Sequence, residues 1–498
     1  MKMAIARRRV LMGAAALGLG ACAPKAAPVA AKTSDALGDL DGVAIAARIR
    51  SKDITVLEAV DAAIARAEAV EPAINAIVTK LYDRARADAR KGAAGPFAGV
   101  PTFIKDLNDI EGAPTKNGSR AFARNIAKQT EPYVARLLAA GLIPIGKSTT
   151  PEFGFTCTTE PLLTGPTHNP WNLKHSAGGS SGGSGALVAA RVVPVAHAND
   201  GGGSIRVPAS VNGLFGFKPS RRRMIGDGER AIPVDLAVNN CVSISVRDSL
   251  AWYCAGERGA ADAPSYPPLS PNIAQLKRKL RIGYAPNALT GRAPDPDVLK
   301  AVQSAAALCQ SLGHQVTEFK SKVDGPAFAD AFTIYWASAG AQLVQEVQKM
   351  APGAPIDQLL EPLTLGLAKL YQSKPPGSIE KAIGVLKKAE ADYAAGFGDV
   401  DVILTPTLAI APLPIGEIAP DRPFDAMWAR VFEYVGYTPL ENAAGAPAMS
   451  VPLAWNGAGL PIGIHFTAAK GEDALLYELA FQLEQARPWA KRKPPLAV

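Results

Sequence analysis

Apolar positions in this chain follow two alternating patterns: short unbroken runs, and longer stretches with the 3.6-residue spacing of a helix. Residues 36–92 read as helical. Within them Thr55-Val-Leu-Glu58 forms a capping box opening an Ala/Ile/Val pattern, which Pro72 is expected to stop after about Val70. Gly99–Asp106 reads as a buried strand, 131–140 as a short helix and Leu142–Ile145 as the next strand. A glycine-rich block then opens a helix over Ser184–Arg191, and a strand, Val192–His197, runs into a second glycine cluster. The alternation continues through the strand Arg281–Ala285, the helix 296–312 and the strand Gln315–Phe319. Val402–Leu404 and Pro461–Phe466 read as further strands, and 473–486 as a closing helix. Strands alternating with helices predict an α/β fold: a mixed twisted sheet covered by helices on both faces, in one large domain spanning 35–498. The proline-rich Ala263–Pro271 and residues 220–232 are expected to be flexible surface insertions.

Composition supports a sizeable core, since 48% of the residues are apolar, while aromatics at 6% leave much of the close packing to Ala and Gly. The formal net charge of +8 is weighted towards one end. Lys2, Arg7, Arg8 and Arg9 contribute to it with no acid among them, and the rest mixes bases with acids. Without a long basic run, nucleic-acid binding has little support. Arg7-Arg8-Arg9 followed by apolar Val10–Ala21 is too short for a bilayer span of about 20 residues, but suits a cleaved export signal. The arginine pair resembles a twin-arginine signal, and Leu19-Gly20-Ala21-Cys22 resembles a bacterial lipobox. Residues 1–21 are therefore expected to be a signal peptide, Cys22 a lipidated anchor and 22–34 a tether. The expected location is the periplasmic side of a bacterial cell envelope, with membrane contact only through the anchor.

Of the other cysteines, Cys157, Cys241, Cys254 and Cys309, no two have metal-ligand spacing, and neither a metal nor a cofactor is expected. An envelope location permits a Cys241–Cys254 disulfide, though buried, inert thiols are the plainer expectation.

The candidate chemistry lies in the glycine clusters. Asp200-Gly-Gly-Gly-Ser204 places a hydroxyl beside backbone N–H groups unobstructed by side chains, which suits a nucleophile next to an oxyanion hole. Gly178-Gly-Ser180-Ser181-Gly182 supplies a second serine pair upstream. Lys105, among apolar Val100, Phe103 and Ile104, is expected to be buried and pushed towards the neutral, proton-accepting form. Other motif matches compete. Gly178–Gly182 also fits the nucleophile elbow of α/β-hydrolases, which would need a histidine such as His197, His314 or His465. Gly141–Ser148 fits the phosphate-binding Gly-x4-Gly-Lys-Ser pattern, but its intervening residues read as an apolar strand. Ser378-Ile-Glu-Lys381 fits Ser-x-x-Lys at what reads as a helix start.

Together, Gly178–Ser184, Gly202-Gly-Ser-Ile-Arg-Val-Pro-Ala209 and the strand ending Lys105-Asp106 resemble the amidase signature family over nearly the whole mature chain. The resemblance implies an amidase acting on a small-molecule amide. Ser204 would be the acylated nucleophile, Ser180 the bridging serine, entered through a cis peptide bond, and Lys105 the base. Backbone N–H groups of Gly201, Gly202, Gly203 and Ser204 would hold the oxyanion, with Ser181, Asp106 and Asp200 in support. Many members carry Thr where this chain has Gly201; a backbone hole should survive that departure. Gly95–Pro101, Thr158–Pro161, Asn169–Asn172 and Pro194–His197 look most like 6-aminohexanoate-cyclic-dimer hydrolases and related amidases. Cys157, and Tyr335 and Trp336 in the aromatic stretch Asp330–Trp336, are the expected pocket residues. An inactive binding protein would not need the intact Lys105, Ser180 and Ser204. Export would separate the chain from the tRNA that the family's amidotransferase subunit requires.

Overall fold

The capping box forms as expected: Glu58 N–H donates to Thr55 Oγ1 at 3.1 Å and Thr55 N–H to Glu58 Oε2 at 2.7 Å. The computed structural model describes residues 35–227, 232–259, 265–273 and 276–498; the expected signal, tether and Cys22 lie outside the described residues. The helix begun at Val56 runs past Pro72 to Ile74, ending at left-handed Asn75. There the Glu71 carboxylate accepts the Ala76 and Ile77 N–H groups at 3.0 and 2.9 Å and turns the chain into a short strand, β1 (Ile77–Lys80). Residues 36–92 are thus three helices interrupted by a strand.

β1 joins β2 (Pro101–Lys105) and β3 (Ile143–Ser148) in a three-stranded sheet with β3 central, antiparallel to β1 and parallel to β2. A two-stranded hairpin, β4 (His168–Asn169) and β5 (Asn172–Ser176), follows. The remaining strands are β6 (Val195–Asp200), β7 (Phe215–Lys218), β8 (Val238–Ser243), β9 (Arg281–Tyr284), β10 (Gln315–Glu318), β11 (Val402–Pro406), β12 (Ala448–Trp455) and β13 (Pro461–Ala468). They form one eight-stranded sheet in the order β10-β9-β11-β13-β12-β7-β8-β6, parallel among β10, β9 and β11 and antiparallel elsewhere. The mixed α/β sheet expected from the sequence is present, and the lysine strand belongs to its own smaller sheet. The two sheets meet where β2 packs on edge strand β6, with Thr102 Oγ1 donating to Val195 O at 2.9 Å.

β6 starts later than the apolar run suggested, because Arg191 turns the chain at φ +65°. The shift carries the strand through His197, Asn199 and Asp200 to the edge of the glycine cluster. The expected surface insertion at 220–232 is corrected over its described part. Met224 is buried, Ser220 Oγ donates to Asp473, and Arg223 pairs with Glu257 at 2.7 Å, so buried acids tie this polar segment down. Residues 228–231 and 263–264 of the two expected insertions lie outside the described residues. Cys157, Cys241, Cys254 and Cys309 are free thiols.

Candidate active site

β6 ends in Asp200, and the turn Gly201–Ser204 leads into the helix Arg206–Asn212. The turn is held from within by Asp200, whose carboxylate accepts Gly203 N–H at 2.7 Å and Ile205 N–H at 3.1 Å and pairs with Arg206 at 3.0 Å. Burial raises the Asp200 carboxyl, but the Arg206 guanidinium outweighs it and keeps the group ionised well below the usual carboxylate range. Buried Arg206 also bonds Glu441, Asn442 and Thr438 O. Gly203 sits at φ +134°, and a Cβ there would lie 2.3 Å from Thr438 Oγ1, so only glycine fits. Its N–H is taken by Asp200, which corrects its place in the expected oxyanion hole. The N–H groups of Gly201, Gly202 and Ser204 have no acceptor among the described residues.

The second serine cluster stands behind the first. The Gly179–Ser180 peptide is cis, and a Cβ on Gly179 would meet Thr158 O at 2.6 Å. Ser180 and Lys105 are buried, whereas Ser204 is partly exposed. Lys105 Nζ lies 2.7 Å from Ser180 Oγ and donates to Asn199 Oδ1 at 2.6 Å. Asn199 Nδ2 donates to Asn108 Oδ1 at 3.2 Å, and Asn108 Nδ2 to Glu131 at 2.7 Å, so a chain of amides orients the lysine. Burial pushes the Lys105 amine well below the ordinary lysine range, against the opposing pull of Asp200. Lys105 N–H donates to His197 Nδ1 at 3.3 Å, and burial, with the nearby lysines, lowers His197 to about 3. That imidazole is neutral and positions backbone.

The supporting residues have separate places. Ser181 Oγ donates to Asn199 O at 3.4 Å, fixing the strand that carries Lys105's partner. Asp106 does not touch either serine: it pairs with buried Lys147 at 3.3 Å and accepts Lys116 N–H at 3.0 Å. Lys147 and Ser148, the end of the phosphate-loop look-alike, lie in β3, where Lys147 Nζ donates to Thr115 Oγ1 at 2.9 Å and Ser148 Oγ meets Ser184 Oγ at 2.8 Å. No three His, Cys, Asp or Glu side chains among the described residues converge on a possible metal position.

Ser204, Gly202 and Gly179 open onto a narrow apolar cleft that includes Cys157 and Trp336. Burial raises the Cys157 thiol to about 12, leaving it inert. Tyr335 is not part of this lining: its hydroxyl donates to Val234 O at 2.7 Å and accepts Val234 N–H at 3.3 Å. Successive helical residues point about 100° apart, so only one of the pair faces the cleft. Trp336 stacks on Phe332 with ring centroids 5.6 Å apart, and a Cβ on Gly201 would stand 3.3 Å from its ring. A side chain there would press on the indole, which would have to give by a few tenths of an ångström, so Gly201 and Trp336 are complementary. Trp336→Ala and Gly201→Thr are each expected to lower kcat/KM for bulky acyl amides on the order of 10-fold more than for short ones. Loss of stability with an unchanged ranking would make Trp336 a packing residue only.

No local sequence pattern singles out Asn199, Phe155, Phe332 or Trp428. An arginine inside Ile205-Arg-Val-Pro-Ala209 was a usable signal, because burial of a guanidinium demands an acid partner.

A family model described as Amidase matches residues 58–477. A putative amidase, AmiC, of Mycobacterium leprae is 41% identical over 92% of this chain and 97% of its own length. The 6-aminohexanoate-cyclic-dimer hydrolase of Paenarthrobacter ureafaciens is 34% identical over 92% of this chain and 96% of its own. A solved structure of 6-aminohexanoate cyclic dimer hydrolase complexed with substrate shares a TM-score of 0.85 at 31% identity, covering 92% of this chain and 99% of that one. The chain belongs to the amidase signature family. It is an amidase, a hydrolase of carbon–nitrogen bonds.

Proposed function

We propose that the chain hydrolyses a linear or cyclic carboxylic amide to an acid and an amine or ammonia through an acyl-enzyme on Ser204. Neutral Lys105 takes the Ser180 proton as Ser180 takes that of Ser204, and Ser204 Oγ bonds to the amide carbon. The N–H groups of Gly201, Gly202 and Ser204 hold the oxyanion. Ser180 then delivers a proton to the departing nitrogen as the C–N bond breaks, and water, deprotonated by the same relay, frees the acid. Amines leave poorly unless protonated, which is why a relay that returns its proton suits amides.

The observation that carries this reading is the 2.7 Å approach of a buried, charge-disfavoured Lys105 Nζ to Ser180 Oγ, behind a cleft that includes Ser204. The rival elbow mechanism lacks a histidine partner in the described hydrogen bonds. His197 meets Lys105 N–H and Asn239, His314 meets Leu280 N–H and Gln482, and His465 meets Arg206 and Thr405. A fluorophosphonate probe followed by tryptic mapping tests the choice. Label on Ser204 is expected; label on Ser180 would overturn the mechanism.

The proposal includes export and anchoring through Cys22. Cys22→Ser is expected to release the enzyme from membranes with its kinetics unchanged. Wild-type processing that is insensitive to globomycin, or a soluble product retaining residues 1–21, would exclude the anchor.

A further inference from the structure

Away from the Ser204 cleft, a second cavity of about 510 Å³ lies where residues 37–45 meet residues 490–493. Its buried apolar lining includes Ile45, Val193 and Ile244, and its charged lining is Arg66, Arg191, Lys491 and Lys493 against Asp39. Two of these cations are neutralised: Arg66 pairs with Asp35 at 2.6 Å and Lys493 pairs with Asp39. Arg191 and Lys491 have no carboxylate partner among the described residues. Arg191 is only 9% exposed. Its Nη2 donates to Ala490 O at 2.7 Å and to Arg492 O at 3.4 Å, and its Nε is enclosed and unbonded. Nη1 has no acceptor among the described residues but keeps accessible surface, which leaves it for an occupant of the cavity. Burial lowers this guanidinium to about 10 against the opposing pull of Asp39, and buried charges are ordinarily paired. The φ of +65° at Arg191 suits Gly or Asn better, so the backbone does not account for an arginine here.

We propose that this cavity binds the headgroup of an anionic membrane phospholipid, with the phosphodiester at Arg191 and Lys491 and the upper acyl carbons against the apolar lining. Guanidinium N–H groups match phosphate oxygens in geometry and charge. A free phosphate would leave the apolar lining in water, and a zwitterionic lipid would leave the excess positive charge of the cavity uncompensated. The position of the cavity fits the same occupant, and here the inference rests on the reading of Cys22 as a lipid anchor. Cys22 and Leu37 are separated by at most about 50 Å of extended chain, so an anchored molecule keeps this cavity within reach of the bilayer surface. Binding a headgroup there would set the orientation of the catalytic domain on the membrane, with no part in bond breaking.

The test uses the full chain carrying Cys22→Ser, so that lipid binding is read without the anchor. It is titrated calorimetrically with dihexanoylphosphatidylglycerol below its micelle concentration, with dihexanoylphosphatidylcholine and inorganic phosphate as controls. The anionic lipid is expected to bind at least about 10-fold more tightly than either control. Lys491→Glu should weaken that binding by about 5-fold or more, and Arg191→Gln by about 10-fold or more. Arg191→Gln also loses its bonds to the carbonyls of Ala490 and Arg492; should it fail to fold, the exposed Lys491→Glu still decides the matter. No binding, equal binding of the two lipids, phosphate binding as tightly as the anionic lipid, or an unaffected Lys491→Glu would each overturn the proposal. Globomycin sensitivity of the wild-type chain tests the anchor separately. An unanchored chain that binds the anionic lipid loses only the Cys22 reading, and an anchored chain that binds none loses only the headgroup site.

Discussion

Ser204→Ala is expected to reduce amide hydrolysis on the order of 10⁴-fold or more and to abolish fluorophosphonate labelling. Ser204 is the partly exposed serine at the mouth of the cleft, next to backbone N–H groups with no internal acceptor. Ser180 is buried against Lys105 and has no comparable approach to a carbonyl carbon. The Ser180→Ala variant should therefore behave differently: its turnover falls through loss of the proton relay, but some label still reaches Ser204. Substituting His197, His314 or His465 should leave the chemical step largely intact, although each substitution removes buried hydrogen bonds and lowers stability. Residual turnover in Ser204→Ala with the label moved to Ser180, together with one essential histidine, would replace this mechanism with the elbow type. Steady-state kinetics and peptide mapping on the same preparations decide it.

Lys105→Ala is expected to lower kcat by roughly 10²–10⁴-fold, the usual contribution of a positioned acid/base, and Lys105→Arg should not restore it. A guanidinium cannot give up its proton near neutral pH, and it does not fit the space between Ser180 and Asn199. The sign of the pH dependence follows from burial. Because the folded-state amine sits well below 10.5, neutral lysine becomes the main form as pH rises through its lowered value. kcat/KM should rise across that interval and level off above it, and the limb should vanish in Lys105→Ala. Stability has the same sign. Between the folded and unfolded values the unfolded chain binds the extra proton, so this lysine's contribution to stability increases with pH. Lys105→Met removes the penalty but also leaves Asn199 Oδ1 without its donor, so it is expected to be inactive and to lose the pH-dependent part of the wild-type stability, read as melting temperature against pH. An unchanged pH dependence would show that Lys105 does not titrate in that interval.

Much of the proposed relay rests on residues that stand out along the chain because they carry local signals. Lys105 in an apolar strand run can only be buried, and two Gly/Ser blocks within an α/β alternation are poor linkers but good backbone approaches. The helix start at Thr55 was readable for the same reason, since a capping box is closed within one turn. Where competing local effects met, the reading slipped. Pro72 did not end its helix because Glu71 and left-handed Asn75 provide a stop one turn later. Polar 220–227 resembled a surface loop until Asp473 and Glu257, distant in sequence, supplied buried partners.

The sequence alone determined the α/β class, the order of the glycine–serine clusters and the burial of Lys105, because periodicity and backbone permissiveness are properties of neighbouring residues. Tertiary structure decided which groups meet. It placed the lysine strand in a separate sheet against β6, spent the Gly203 N–H on Asp200, and turned Trp336 but not Tyr335 towards the cleft. It also brought Arg206 to Glu441 and set Trp336 in the space that Gly201 leaves open. Such pairings depend on contacts between segments far apart in the chain, and no local pattern encodes their distances.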